Sequence, residues 1–509
     1  MRRAYPVAAI RAAERPLIDA AADAGDPDAV MRVAAAGVAH HTAALLRQRT
    51  GGVYGRSVVL VVGSGDNGGD ALYAGALLRS RGCRVEAILV DPDRVHGRGL
   101  DALRRAGGRI RRAAEAFPQG AGWRIPPADV AVDGVVGLGG TGPLREQAGR
   151  IAGALADAGV PFVAVDLPSG VDADTGTVHH PHVTAAVTVT FGALRRAHLL
   201  ASPVCGRVEL VDIGMATPSL QPSGTGAVVR SSRHEVARAW PVPGPDDDKY
   251  SQGVVAIRAG SARYPGAAVL SASAAVAATS GMVRYVGSGA DAVLAARPEV
   301  VCHPRVADTG RAQAWVVGPG AGTGKDAVAD IDAILSAGMP TVLDADALTC
   351  IATHPVLLRH AKAPVLLTPH AGEFDRLTGG WDRADRPGAL RRYVLGLRDR
   401  GIAATVLLKG RVTLVDVGET THAVDAGSSW AATAGSGDIL AGMVGALLAS
   451  PMARGEAGAG PVGPAVAAAT VHGEAARRAA HRPGGGTAPI GASDLLAAVP
   501  GAIAALREA

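Results

Sequence analysis

Apolar and polar positions along the 509-residue chain fall into two successive strand–helix alternations. The opening stretch, Ala8 to Arg49, repeats its apolar residues at helical spacing, with a break at Gly25, Asp26 and Pro27. Short aliphatic runs then predict strands at 57–62, 85–90, 129–136, 161–166, 185–191 and 207–212, with helical segments between the earlier ones. That alternation implies a mostly parallel sheet covered by helices on both faces. The pattern restarts, with strands predicted at 253–258, 283–287, 314–318, 340–344, 364–368, 403–408, 411–416 and 421–425 and a closing helix from Ile439. Between the halves lie a Pro/Gly/Ser-rich stretch, Thr217 to Thr225, and the run Pro241 to Pro245. We place a boundary near residue 224, giving domains 1–224 and 225–509, with Ala227 to Arg230 already belonging to the second. Segments 455–464 and 482–489, rich in Gly, Ala and Pro, read as surface loops.

Composition narrows the class. Apolar residues make up 48% of the chain, enough for two large cores. No uninterrupted apolar run approaches the roughly 20 residues of a spanning helix, and Arg11 and Glu14 break up any signal-peptide core near the N-terminus. Four widely spaced cysteines (Cys83, Cys205, Cys302, Cys350) read as reduced core thiols of a cytoplasmic protein. The isoelectric point near 9.2 invites a nucleic-acid reading. Basic residues are dispersed, however, and aromatics are only 3%, too few for base-stacking platforms, so neither nucleic acid nor membrane is an expected partner. The sequence fixes no oligomeric state and leaves a homo-oligomer open.

One asparagine occurs in the whole chain, Asn67, inside the run Gly63 to Asp70 (GSGDNGGD) between an aliphatic strand and a helix expected from Ala71. Strand, glycine turn and helix present backbone N–H groups to phosphate, and a neutral amide offers a carbonyl oxygen and an NH2 group at one end. Two more strand-end motifs converge on the same sheet edge: Val132 to Pro143 (VDGVVGLGGTGP) and Val165 to Gly176 (VDLPSGVDADTG). The Asn67 carbonyl, Asp133 carboxylate and Ser169 hydroxyl make an all-oxygen set for a hard cation, or else Asp133 and Ser169 cap turns.

The second half carries different chemistry. Thr433 to Gly442 (TAGSGDILAG) opens a helix with a glycine turn and an acid in its first turn, an anion hole as well as a plain helix cap. Leu367 to Phe374 (LTPHAGEF) follows a strand, and Val406 to Thr413 (VLLKGRVT) holds Lys409, one of only four lysines among 51 basic residues. Pro340 to Leu348 (PTVLDADAL) ends a strand in two carboxylates suited to magnesium, directly or through water. Asp248 to Gly253 (DKYSQG) and Ala259 to Ala268 (AGSARYPGAA) add a further loop. Gly318 to Lys325 (GPGAGTGK) mimics a phosphate-binding loop, but Pro319 and Asp326 break the pattern.

These motifs resemble the bifunctional NAD(P)H-hydrate repair enzymes. The first three segments are similar to the epimerase domain, over about the first 215 residues. The later ones are similar to the ADP-dependent dehydratase domain, over roughly 225–509. The resemblance implies a Rossmann-like doubly wound sheet followed by a ribokinase-like α/β domain. It implies epimerisation of the R and S hydrates (NADHX and NADPHX), then dehydration of the S form with ADP, giving AMP and phosphate. In the first domain it implies K+ held by Asn67, Asp133 and Ser169. Hydrated dinucleotide would be held by Asp66, Asn67, Gly68, Gly69 and Asp70, by Gly137, Leu138, Gly139, Gly140, Thr141, Gly142 and Pro143, and by Asp166. In the second it implies hydrate contacts from Ala268, Gly322, His370 and Asp438. Lys409, Gly410, Arg411, Val412, Thr413 and Gly437 would contact the adenine nucleotide, with Mg2+. Asp166 and Asp438 would be the catalytic groups. Asp66 stands where the family has Asn, Ala71 replaces a Gly, and the family's Lys after the strand-end Thr190, Phe191 and Gly192 falls to Arg195 or Arg196. Two other readings remain: a thiamine-precursor-type kinase, and an N-terminal half that only binds. His179, His180 and His182 read as a solvated loop, His40 and His41 as ordinary helix residues, and Asp91 is left outside the site.

Overall fold

The fold is that of a computed structural model describing residues 1–116, 127–137, 139–215, 226–279, 281–454 and 460–508. The chain divides into two compact units, Arg3–Val228 and Val229–Ala509, the second including Met1–Arg2. The boundary expected near residue 224 lies outside the described residues.

The first unit contains strands β1 (Ser57–Val62), β2 (Arg84–Leu89), β3 (Arg109–Arg112), β4 (Val130–Gly134), β5 (Phe162–Val165), β6 (Ala185–Phe191) and β7 (Arg207–Val211). Their order is β3-β2-β1-β4-β5-β6-β7, every pairing parallel. Helices α1 (Val7–Asp23), α2 (Ala29–Thr50), α3 (Asp66–Ser80) and α4 (Glu146–Asp157) accompany it. Val58, Leu60 and Val62 join α2 and α3 in one core, while Val59 and Val61 join α4 in another. Burial on both faces is why β1 is an unbroken aliphatic run rather than an alternating one. Helix α2 is long and apolar enough to cross a bilayer, yet Val38, Ala39 and Leu46 are fully buried in this core. Strand order reverses between β1 and β4, which opens a crevice at their carboxyl ends. The helix expected from Ala71 starts at Asp66, so Asn67 to Asp70 are its first turns rather than a loop. Gly65, at φ 113°, makes the bend into it.

The second unit is built on β8 (Val254–Arg258), β9 (Met282–Val286), β10 (Val301–His303), β11 (Ala314–Val317), β12 (Thr341–Leu343), β13 (Val365–Leu367), β14 (Ala404–Leu408), β15 (Val412–Asp416) and β16 (Thr421–Asp425). The order β10-β9-β8-β11-β12-β13-β14-β15-β16 is parallel as far as β14 and antiparallel beyond it. Helices α5 (Pro265–Ala278), α6 (Asp346–Thr353), α7 (Ala371–Thr378), α8 (Ser436–Ala449), α9 (Val462–Ala480) and α10 (Ala492–Arg507) surround it. Every residue of α8 from Ile439 to Ala449 is buried. Three expectations need correction here. Helix α8 begins at Ser436, because the turn at Gly435 (φ 83°) already points the chain into the helix. It is not the closing helix, since α9 and α10 follow. Val462 to Pro464 are helical with Pro464 buried, while residues 455–459 of that expected loop lie outside the described residues.

Candidate functional sites at the two sheet edges

In the first unit a cleft of about 890 Å³ opens at the β1/β4 crevice. Asp66, Asn67, Asp70, Gly137, Gly139 to Pro143, Asp166 and Ser169 all line it. Gly68 and Gly69 are buried behind the wall, Asp133 lies beneath it, and Leu138 falls outside the described residues. Asp91, left out of the sequence-based site, also lines the cleft.

The single asparagine is accounted for by its two functional ends. Its Nδ2 donates to the Val165 carbonyl at 2.7 Å and to the Val136 carbonyl at 3.4 Å, tying α3 to the strand end that carries Asp166 and to the glycine loop after β4. A Cβ at Gly137 would lie 2.2 Å from Asn67 Oδ1, so only glycine allows this approach. Asp133 Oδ1 accepts from Ser169 Oγ at 2.7 Å and Oδ2 from the Ser169 N–H at 2.8 Å, while Ser169 Oγ accepts from the Val136 N–H at 3.0 Å. Asp133 has no cationic partner among the described residues, and burial pushes its carboxyl up to about 6 despite those hydrogen bonds. A buried acid without a counter-charge, set among oxygen ligands, fits a cation.

Asp166 sits just past β5 at φ 65°, one of two non-glycine residues with positive φ among those described. Its N–H donates to the Val189 carbonyl at 2.7 Å, and its carbonyl accepts from His198 Nε2 at 2.8 Å. His198 Nδ1 accepts from the Arg195 N–H at 3.0 Å, which fixes the neutral ring; burial pushes its pKa down to about 4. Thr190 Oγ1 donates to Asp166 Oδ1 at 2.9 Å. Arg195 Nε lies 3.0 Å from the same oxygen, close enough for an ion pair but misaligned for a hydrogen bond. Of the two candidate arginines, Arg195 is therefore the one beside Asp166. Asp70, also buried, has its carboxyl raised well above the usual range, chiefly by burial and then by Asp166, Asp66 and Glu14.

The second site lies at the carboxyl ends of β11 to β14. Lys409, after β14, donates to Asp344 Oδ1 at 2.7 Å and lies 3.5 Å from Glu373 Oε2. Thr368 Oγ1 donates to Asp344 Oδ1 at 2.8 Å, and Asp346 Oδ2 accepts from the Gly322 N–H at 2.8 Å. Between the two acids Ala345 adopts φ 50°, the other strained residue. A Cβ at Gly437 would lie 3.4 Å from Lys409 Nζ and 3.9 Å from Asp344 Oδ2, so the α8 N-terminus abuts this pair. Asp438 follows, its carboxyl raised to about 6, first by burial and then by Asp344, with Lys409 opposing. His370 caps α7, its Nδ1 accepting from the Gly372 and Glu373 N–H groups, and its own N–H donates to Glu373 Oε2 at 2.8 Å. Gly410 is in the β14–β15 turn and Arg411 pairs with Asp425, whereas Val412 and Thr413 are buried in β15. Ala268 is fully buried in α5, where a Cβ on Gly260 or Gly289 would meet its methyl group at 2.7 or 3.0 Å. No three His, Cys, Asp or Glu side chains form a ready metal cluster among the described residues.

Two family models match the chain in succession: YjeF-related protein N-terminus over residues 27–197, and NAD(P)H-hydrate dehydratase over 255–497. The chain is 50% identical over 457 residues to the bifunctional NAD(P)H-hydrate repair enzyme Nnr of Mycobacterium tuberculosis, covering 90% of this chain and 91% of that one. The Mycobacterium leprae enzyme of the same name is 49% identical over 508 residues, covering 99% and 100%. That of Corynebacterium glutamicum is 37% identical over 520, covering 89% and 88%. The chain belongs to the bifunctional NAD(P)H-hydrate repair enzymes. The YjeF-related match falls within the first unit and the dehydratase match within the second, both mixed α/β with largely parallel sheets. Within this family frame, sequence reasoning missed Glu14, which reaches the first cleft from α1 and pairs with Arg195 at 3.1 Å. It read Asp344 as one of two carboxylates suited to magnesium and Glu373 only as a motif member, with no hint that both would meet Lys409. An isolated acid on an amphipathic helix carries no signal of its own in the sequence.

Proposed function

We propose that the two sites run consecutive repair reactions on hydrated NADH and NADPH. In the first, the R and S hydrates interconvert at the ring carbon bearing the hydroxyl. The adjacent ring nitrogen supplies the electron pair that expels the hydroxyl as water, and water returns from the other face. Asp166 is the proton-carrying group, held at its strained backbone angle by His198, Val189 and Thr190. The glycine loop 137–143 and the α3 N-terminus, with its backbone N–H groups and favourable dipole end, receive the dinucleotide phosphates. Asn67, Asp133 and Ser169 would hold K+. The ion would supply positive charge that keeps Asp133 ionised and the two loops together.

At the second site, Asp438 takes the proton from the ring hydroxyl of the S hydrate as it attacks the terminal phosphoryl group of ADP and AMP departs. The ring nitrogen then expels phosphate, and loss of a proton from the neighbouring carbon restores NADH or NADPH. Bound at Asp344 and Asp346, Mg2+ would offset phosphate charge in the transfer. Lys409, held by Asp344 and Glu373, is the cation next to the α8 N-terminus. Gly410 to Thr413 and Gly437 would contact the adenine nucleotide, and Ala268, Gly322 and His370 the hydrate. Four free thiols suit a cytoplasmic location.

The observation that supports this reading most directly is the raised carboxyl of Asp438 beside Lys409, a proton acceptor tuned toward neutral pH next to an anion-binding helix end. The test is an assay of purified protein on mixed hydrate epimers. Without ADP, the epimers should equilibrate in K+. With ADP and Mg2+, all of the hydrate should return to reduced cofactor. Phosphorylation of a hydroxymethylpyrimidine with no turnover of hydrates would favour the kinase alternative.

A further inference from the structure

Glu14 is a carboxyl group on the epimerase cleft with no part in the scheme above. It comes from α1, ahead of the residues 27–197 matched by the family model. Its side chain lines the cleft and is 15% exposed. Arg195 Nη2 donates to Glu14 Oε1 at 3.1 Å, and Arg195 Nε lies 3.0 Å from Asp166 Oδ1. The guanidinium is itself almost fully buried and is pinned by Nη1 to the Phe191 carbonyl at 2.7 Å. One fixed cation therefore carries two carboxyl groups from different elements, each engaged through one oxygen. The second oxygen of each has no partner among the described residues.

Glu14, Asp166 and Asp70 all line this cleft, with Arg195 the one buried cation against them. Arg11, also on the wall, adds a weaker attraction for Glu14 from its own helix. Glu14 and Asp166 share Arg195, and Asp70 lies near both acids, so like-charge repulsion favours a proton held within the cluster. Burial is the main cause that raises the Glu14 carboxyl, and Asp166 adds to it against the pull of Arg195 and Arg11. Epimerisation by loss and return of water needs such a store. One group must give a proton to the departing hydroxyl while another, already ionised, stands ready for the water that returns.

Resting on the epimerase reading, we propose that Glu14 is a catalytic residue of the epimerisation, paired with Asp166 through Arg195. Glu14 gives its proton to the ring hydroxyl. The carbon–oxygen bond breaks toward the leaving water, and the nitrogen lone pair forms the carbon–nitrogen double bond. A water molecule then adds to that carbon from the other face, the double-bond electrons return to nitrogen, and the Asp166 carboxylate takes the water's proton. Glu14 is left ionised and Asp166 protonated, the starting state for the opposite direction. Exchange of protons with water in the cleft resets the pair.

The test uses the full chain with K+ and no ADP, following R-to-S interconversion of NADHX by chromatography. Glu14→Gln keeps an oxygen that accepts from Arg195 Nη2 but cannot carry the proton. Its kcat should fall on the order of 10²–10⁴, with KM little changed. Glu14→Asp should recover part of the rate, and the limb of the pH profile set by the acid should disappear in the Gln variant. ADP-dependent dehydration of the S hydrate by the same preparation should be unaltered, which reports a folded chain. A Gln variant within about threefold of wild type, or one changed in KM alone, would overturn the proposal and leave Glu14 as a support for Arg195. Wild-type protein unable to epimerise would instead refute the reading of the first unit, a distinguishable result.

Discussion

Burial sets the working range of Asp438 more than any single neighbour. Its carboxyl titrates near 6, so the base form dominates at neutral pH but is lost on mild acidification. Dehydration kcat/KM should fall about tenfold per pH unit below 6 and level off above it. Asp438→Asn should lower the rate by on the order of 10²–10⁴ while leaving ADP binding nearly intact, because in the proposed mechanism backbone groups and magnesium would hold the phosphates. The same substitution should stabilise the protein. A carboxyl whose folded pKa is raised favours the fold below its unfolded pKa, and that contribution is lost as pH rises through about 6. Removing the charge should therefore return up to about 3 kcal/mol at pH 8 and almost nothing at pH 4, read from thermal unfolding. An Asn variant that keeps most of its dehydration rate would reduce Asp438 to a helix cap. Asp133 makes the corresponding case in the first unit. Asp133→Ala should slow epimerisation, leave the residual rate indifferent to K+ or Na+, and spare dehydration of the S hydrate. Equal loss of both activities would point to misfolding. Asn67 could be singled out from sequence because its rarity advertised it. Glu14 could not, since one acid on an amphipathic helix looks like any solvated one until Arg195 is seen behind it.

Among the secondary-structure elements, legibility followed burial. Central strands such as β1 and β4, apolar on both faces, stand out as aliphatic runs, and the structure places them within a residue or two of expectation. Two of the strands that escaped notice, β3 (Arg109–Arg112) and β10 (Val301–His303), lie at sheet edges, where polar side chains are tolerated and the hydrophobic signal fades. The candidate site residues sit where elements end under constraint. Asp166 and Ala345 adopt positive φ directly after β5 and between two site carboxyls, conformations that cost of order 1–3 kcal/mol and persist only where surrounding contacts impose them. Helix α8 shows a packing constraint of a different kind. A Cβ at Gly442 would lie 2.2 Å from the Ser271 carbonyl oxygen, a backbone atom of α5 that cannot step aside. Gly442→Ala should therefore push α8 off α5 and destabilise the second unit by about 1–3 kcal/mol, despite alanine's better helix propensity. Chemical denaturation of the variant gives the measurement, and unchanged stability would mean that the two helices separate without cost.

The molecule as a whole joins two catalysts whose site residues are drawn from separate units. The residues around Asp166 all fall within Arg3–Val228, and those around Asp438 all fall within Val229–Ala509. The seven-stranded sheet lies within the first unit, and each unit has its own buried apolar clusters, a usual condition for independent folding. Sequence placed the junction near residue 224 because glycine, proline and serine accumulate there, but it gave no sign that Met1 and Arg2 belong with the second unit. The Met1 ammonium pairs with Glu235 at 2.7 Å, and both groups are about two-fifths exposed. A surface pair of that kind is worth at most about 1 kcal/mol, too little to decide whether the second unit folds. Residues 1–224 and 225–509, expressed separately, should therefore each be soluble. The first piece should interconvert the hydrates and leave them hydrated. The second should consume only the S form with ADP, stalling when the R form is all that remains. Mixing the two should restore complete conversion at a rate set by the slower piece. An insoluble first piece beside a soluble full chain would show that the units depend on each other for folding. Complete conversion by the second piece alone would mean that the R hydrate needs no separate epimerase.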